Sequence, residues 1–174
     1  MTRSRRSAAM MVGVAALLLS ACQPWAGKAS QREGKAAVAV VYSGAHCGRR
    51  EAAPRASWID DARQLEASLR HIRADRLGGQ PASLPNLDFR HEIGLLVEMG
   101  QQPTLGYRLT LGEGEELHIS QGRARLSLNW IQPPADAIVA QALSSPCLLL
   151  KLERGDYTSV QVLDTQGALK VEAR

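Results

Sequence analysis

Apolar positions recur along the chain with two different periods. Between residues 57 and 73, Trp58, Ile59, Ala62, Leu65, Leu69 and Ile72 fall on one helical face, while Asp61, Arg63, Glu66, Arg70 and Arg73 mostly occupy the others. The spacing predicts a helix starting at Trp58 behind Ser57 as N-cap, with Asp60 and Asp61 in a first turn whose dipole favours negative charge. Gly78-Gly79 would end it. From Leu87 onward the period is that of strands, predicted over 93–99, 107–111, 116–120 and 125–130. In the last of these Leu126, Leu128 and Trp130 alternate with polar residues, which implies one wet face. Residues 148–152 are almost continuously apolar and read as a central strand covered on both sides. Residues 157–163 and 169–172 form a hairpin across Asp164-Thr165-Gln166-Gly167, and 36–42 a buried first strand followed by a loop to Ala56. The expected class is α+β and β-rich, a mainly antiparallel sheet or small sandwich with one helix packed on it near the N-terminus.

The N-terminal pattern is of another kind. Arg3, Arg5 and Arg6 precede an apolar run from Ala8 to Leu19, then the small residues Ser20 and Ala21, in the order of a secretory signal. The run is about 12 residues, short of the roughly 20 a helix needs to cross a bilayer core. Leu19-Ser20-Ala21-Cys22 resembles the lipobox of bacterial lipoproteins. That resemblance implies cleavage before Cys22 and a diacylglycerol on its thiol, enough chain to hold the protein on a membrane. Gln23 is not the aspartate of an inner-membrane retention signal, which directs the expectation to the outer membrane, facing the periplasm. The organisation expected is a signal peptide over 1–21, a polar, Gly- and Pro-containing tether over 22–35, and one globular domain over 36–174.

Charge changes its meaning once the signal is set apart. Of 21 basic residues three lie in the signal, leaving 18 against 17 acidic ones, so the mature part is nearly neutral and lacks the basic stripe of a nucleic-acid binder. Setting Cys22 aside leaves Cys47 and Cys147. In an exported chain they are either a disulfide closing a long loop or two reduced thiols, one near Gly48 and one in an apolar strand. No catalytic set is legible. His91-Glu92 has leucine at 95 where a zinc-protease helix needs its second histidine, adjacent His46 and Cys47 point to opposite faces of an extended chain, and His71 and His118 stand alone. Neither a metal nor another cofactor is expected.

The segment from Leu87 to about Gly155 carries Leu87-Asp88-Phe89-Arg90, an apolar strand, the turn Gly100-Gln101-Gln102-Pro103-Thr104-Leu105-Gly106-Tyr107, and later Gln141-Ala142-Leu143 before Pro146. This order resembles the C-terminal domain of the PrcB family, with Leu105 in place of the second turn glycine and Cys147 where an aromatic is frequent. The resemblance implies a non-catalytic envelope lipoprotein whose β-rich domain binds a partner protein, the family's partner being a secreted protease that it stabilises. Gln102, Pro103, Thr104, Gly106, Tyr107 and Trp130 are the candidate contacts. Pro103, Thr104, Gly106 and Tyr107 also resemble one inhibitory loop of chagasin-like cysteine-protease inhibitors, an alternative function. A structural or small-ligand-binding module is the third, and a large apolar cavity between helix and sheet would mark it.

Overall fold

The computed structural model describes residues 33–74 and 86–174, so the expected signal peptide, Cys22, most of the tether and the Gly78-Gly79 helix end lie outside the described residues. In chain order the elements are β1 (Gly34–Ala36), β2 (Val38–Gly44), β3 (Arg55–Ile59), α1 (Ala62–Ala74), β4 (Glu92–Glu98), β5 (Arg108–Leu111), β6 (Leu117–Ser120), β7 (Arg123–Ile131), β8 (Cys147–Glu153), β9 (Ser159–Leu163) and β10 (Leu169–Ala173). They form two sheets. One runs β2-β8-β4-β3; the other runs β1-β6-β7-β9-β10, with β5 paired to the end of β7 beyond β6. Every pairing is antiparallel except β7 with β9. The class expected from the pattern is the one observed.

Alternation along β4 and β8 builds two cores from one sheet. Leu95 and Val97 of β4 and Leu148, Leu150 and Leu152 of β8 meet Leu109, Leu117, Leu126, Leu128, Val160 and Val162 of the facing sheet. Leu96 and Leu149 point the other way, onto Leu65, Leu69 and Ile72 of α1. Because both faces are covered, these strands are apolar at consecutive positions, Leu95-Leu96-Val97 in β4 and Leu148-Leu149-Leu150 in β8, as the sequence of β8 suggests. β7 keeps the strict alternation of a strand with one buried face. The β9–β10 hairpin closes where expected, with Asp164 accepting from Gly167 N and donating its own N–H to Ala168 O, both at 2.9 Å.

Three expectations are corrected. The helix starts at Ala62, because Ser57, Trp58 and Ile59 belong to β3, in register with Leu96, Leu95 and Gly94. Trp58 and Ile59 fit a helical stripe by spacing, yet they pack into different cores, as neighbours in a strand must. The cap is Asp61: its Oδ1 accepts from Gln64 N at 2.8 Å, while Gln64 Oε1 accepts from Asp60 N at 3.0 Å. Secondly, the run over 36–42 is not one buried strand. The chain leaves the β1-β6-β7-β9-β10 sheet at Ala36, paired with Leu117, and joins the β2-β8-β4-β3 sheet at Val38, paired with Leu152. There β2 is an edge strand with a bulge between Val40 and Tyr42, and Val40 is 46% exposed. Thirdly, Gly34 and Lys35, expected in the tether, pair with Ile119 and His118 in β1.

Candidate functional site

Three loops meet at one end of the sandwich: 45–54, 99–107 and 132–146. Backbone hydrogen bonds stitch them together. Met99 N donates to Pro146 O at 2.8 Å, Gln101 N to Glu51 O at 2.8 Å, and Gln102 and Ser144 exchange N–H···O bonds of 2.7 and 3.0 Å. Leu105 N reaches Ala140 O at 3.2 Å, and the Ser144 hydroxyl donates to Thr104 O at 2.7 Å. Ser145 ties in the remaining loop, since its Oγ accepts from Cys47 N at 2.9 Å and Gly48 N at 3.0 Å. The alternative between disulfide and free thiols resolves as a Cys47–Cys147 disulfide, with both residues fully buried. Loops fixed in this way present their exposed side chains with little ordering entropy left to lose on binding.

The anticipated contact residues are not all exposed. Pro103 and Gly106 are exposed, whereas Gln102 is half-buried and turns its Nε2 back onto Met99 O at 3.3 Å. Thr104 is half-buried and holds Ser144 through its carbonyl. Tyr107 and Trp130 are half-buried and pack against the inter-sheet core; Trp130 sits opposite Leu109, donates Nε1–H to Leu163 O at 3.3 Å, and carries Lys170 Nζ 5.4 Å from its ring centre. These aromatic rings therefore contribute to the edge of the core. The joined loops expose two large apolar side chains: Ile138 is wholly exposed and Leu143 is 60% exposed. Sequence reasoning passed over Ile138, which lies in a short Ala137-Ile138-Val139-Ala140 run without a strand's alternation, although Leu143 lies inside the Gln-Ala-Leu segment.

Beside these loops, a groove of about 820 Å³ opens between α1 and strands β3 and β4. A large apolar cavity would have marked a small-ligand module; this one is open and charged, lined by Arg49, Arg50, Arg55, His71 and Glu98 among others. Glu98 ends β4 on the helix-facing side, in register with Arg55 on one neighbour and Cys147 on the other, and is only 6% exposed. Burial pushes its carboxyl above the ordinary 4.5, with Arg49, Arg55 and His71 pulling the other way. A carboxyl raised in the folded state favours folding most when protonated. Its contribution is full below the ordinary value of 4.5 and is lost as pH rises through the raised one. Glu98→Gln should thus melt higher than the parent chain at neutral pH, with the gap closing on acidification. An equal gap at both pH values in a thermal melt would contradict this.

Among the described residues no group of three or more His, Cys, Asp or Glu side chains could hold a metal ion. His91 Nδ1 lies 3.0 Å from Asp88 Oδ2 at the surface, and Glu92 accepts from Lys151 at 2.8 Å, so both side chains are taken up by local hydrogen bonds at the start of β4.

No curated protein and no solved structure matches the chain. Residues 95–153 match the family model described as PrcB C-terminal. The matched stretch runs from β4 to the end of β8 and holds the loops 99–107 and 132–146 that the hydrogen bonds join. This segment, which supplies the two central strands of one sheet and the paired loops at their ends, is similar to the C-terminal domain of the PrcB family.

Proposed function

We propose that the protein is a non-catalytic envelope lipoprotein, held on the outer membrane through lipid on Cys22, and that its domain binds and stabilises a partner protein through the joined loops 99–107 and 132–146. The partner class favoured is an exported protease, in keeping with the family resemblance. The observation that carries this reading is the exposure of Ile138 and Leu143 on loops that backbone hydrogen bonds hold fixed, inside the family segment. Exposed aliphatic side chains on loops held by backbone hydrogen bonds cost solubility and add nothing to the core. They repay that cost when a partner's pocket removes them from water, and a few such anchors dominate a typical interface.

The test is crosslinking in intact cells followed by purification of the full chain. A stoichiometric exported protease is expected with the parent chain. Ile138→Asp together with Leu143→Asp should weaken capture by about 30-fold, the equivalent of roughly 2 kcal/mol. Both positions are exposed, so the melting temperature should hold, which separates this pair from Tyr107→Ala, where core packing is lost as well. A Cys22→Ala form should leave the membrane fraction. Undiminished capture by the double aspartate variant would remove the loops from the interface, and membrane retention of Cys22→Ala would remove the anchor.

A further inference from the structure

We propose that the groove between α1 and strands β3 and β4 binds a small zwitterion, an amino acid or short peptide whose ammonium meets Glu98 and whose carboxylate meets the arginines of the rim. The groove's volume of about 820 Å³ falls in the range of small-molecule sites and leaves ample room for an amino acid or short peptide. Its floor and its rim make opposite demands. Glu98 is 6% exposed, and its carboxylate makes no hydrogen bond or close ion pair among the described residues, Arg49, Arg55 and His71 acting on it only through space. The residue is buried while its carboxylate lines the groove, so a ligand ammonium entering there would add the hydrogen-bond donor that the fold does not supply.

The rim has the reverse composition. Arg49 is anchored, donating Nε–H to Ala53 O at 3.0 Å and lying 3.3 Å from Glu51. Arg50 and Arg55 are exposed and make no ion pair among the described residues. His71 stands across from them on α1, with its Nε2 within 3.1 Å of where a Cβ on Gly48 would lie. Three guanidinium groups would repel a simple cation approaching Glu98, and Glu98 would repel a simple anion settling deep among the arginines. A ligand with both charges on one short backbone satisfies the two halves together. Guanidinium is also the group that best fits a carboxylate, through paired N–H···O bonds.

Titration calorimetry on the full chain in detergent, with L-alanine, L-alanyl-L-alanine, N-acetyl-alanyl-alanine and alanyl-alanine amide as probes, tests this. Saturable binding is expected for at least one unblocked probe, and whether alanine or the dipeptide binds more tightly assigns the site to a free amino acid or to a peptide. Each blocked dipeptide should bind about tenfold or more weakly, since one charge-assisted contact is lost. Glu98→Gln should weaken the unblocked probe by a similar factor and leave the N-acetyl probe unchanged, while Arg50→Ala, at an exposed position, should weaken every probe with a free carboxylate. A thermal melt of each variant establishes that it is folded. Absence of saturation by both unblocked probes at about 10 mM, or equal affinity for blocked and unblocked dipeptides, would overturn the proposal.

Discussion

Replacing both Cys47 and Cys147 by alanine is expected to destabilise the domain by about 2–5 kcal/mol and to lower its melting temperature by on the order of 10 °C. The disulfide joins residues 100 positions apart, a separation for which chain-entropy reasoning gives up to about 4.7 kcal/mol. That is a large share of the 5–15 kcal/mol that typically holds a domain folded. The effect should act mainly through the unfolded chain. In the folded protein Cys47 N still donates to Ser145 O and Oγ, both at 2.9 Å, so the loop around it has a second tether. The double variant should accordingly keep its sheet content by circular dichroism while its denaturation midpoint falls. An unfolding free energy within about 1 kcal/mol of the parent's would mean that the cross-link removes little entropy from the unfolded chain. Since both cysteines are fully buried, reductant should act slowly on the native protein and quickly once denaturant opens it.

The parts of this fold that were legible in the sequence are those where one local signal has one structural meaning. A continuous apolar run between turn residues identified β8 as central, the alternation of Leu126, Leu128 and Trp130 fixed which face of β7 is buried, and Asp164 to Gly167 marked the hairpin. Ambiguity entered where a residue satisfied two periods. Trp58 and Ile59 match the stripe of α1 by spacing, and only the pairing of β3 with β4, a contact some forty residues away in sequence, makes them strand. The break at Ala37 between two sheets was hidden for the same reason, because a run of alanine and valine does not say which sheet its halves will join. The candidate site was legible as two motifs and not as a surface. Loops 99–107 and 140–147 both carried the family signal, but that they bond to each other, and that Tyr107 and Trp130 face inward, depends on the register of β5 against β7. Glu98 gave no signal at all, since an acid at the end of an apolar strand looks like the strand's solvent end.

Gly100→Ala should be nearly as damaging as loss of the disulfide, at about 3 kcal/mol, although it adds a single methyl group. Gly100 has φ of +86°, a conformation that costs an L-residue about 1–2 kcal/mol. The added Cβ would also run into the carbonyl of Ala52 and come within 3.0 Å of Ala53 O. Backbone cannot step aside as a side-chain end can, and overpacking of this kind typically adds about 1–3 kcal/mol. The place where the strain would be released is the bond from Gln101 N to Glu51 O, one residue further on, which joins loop 99–107 to loop 45–54. Gly106→Ala provides the comparison. Its φ of +97° carries a similar conformational cost, but the new Cβ would meet the Pro133 side chain at 3.1 Å, where a ring at the exposed end of the loop can give way. Urea denaturation of the full-length variants should therefore rank Gly100→Ala below Gly106→Ala, and both below the parent. If the two glycine variants were equally stable, φ alone would account for the loss and the contact with Ala52 would be relieved without cost. If the ranking holds, partner capture should fall further in Gly100→Ala than in Gly106→Ala, because the wider separation of the loops displaces the backbone that carries Leu143.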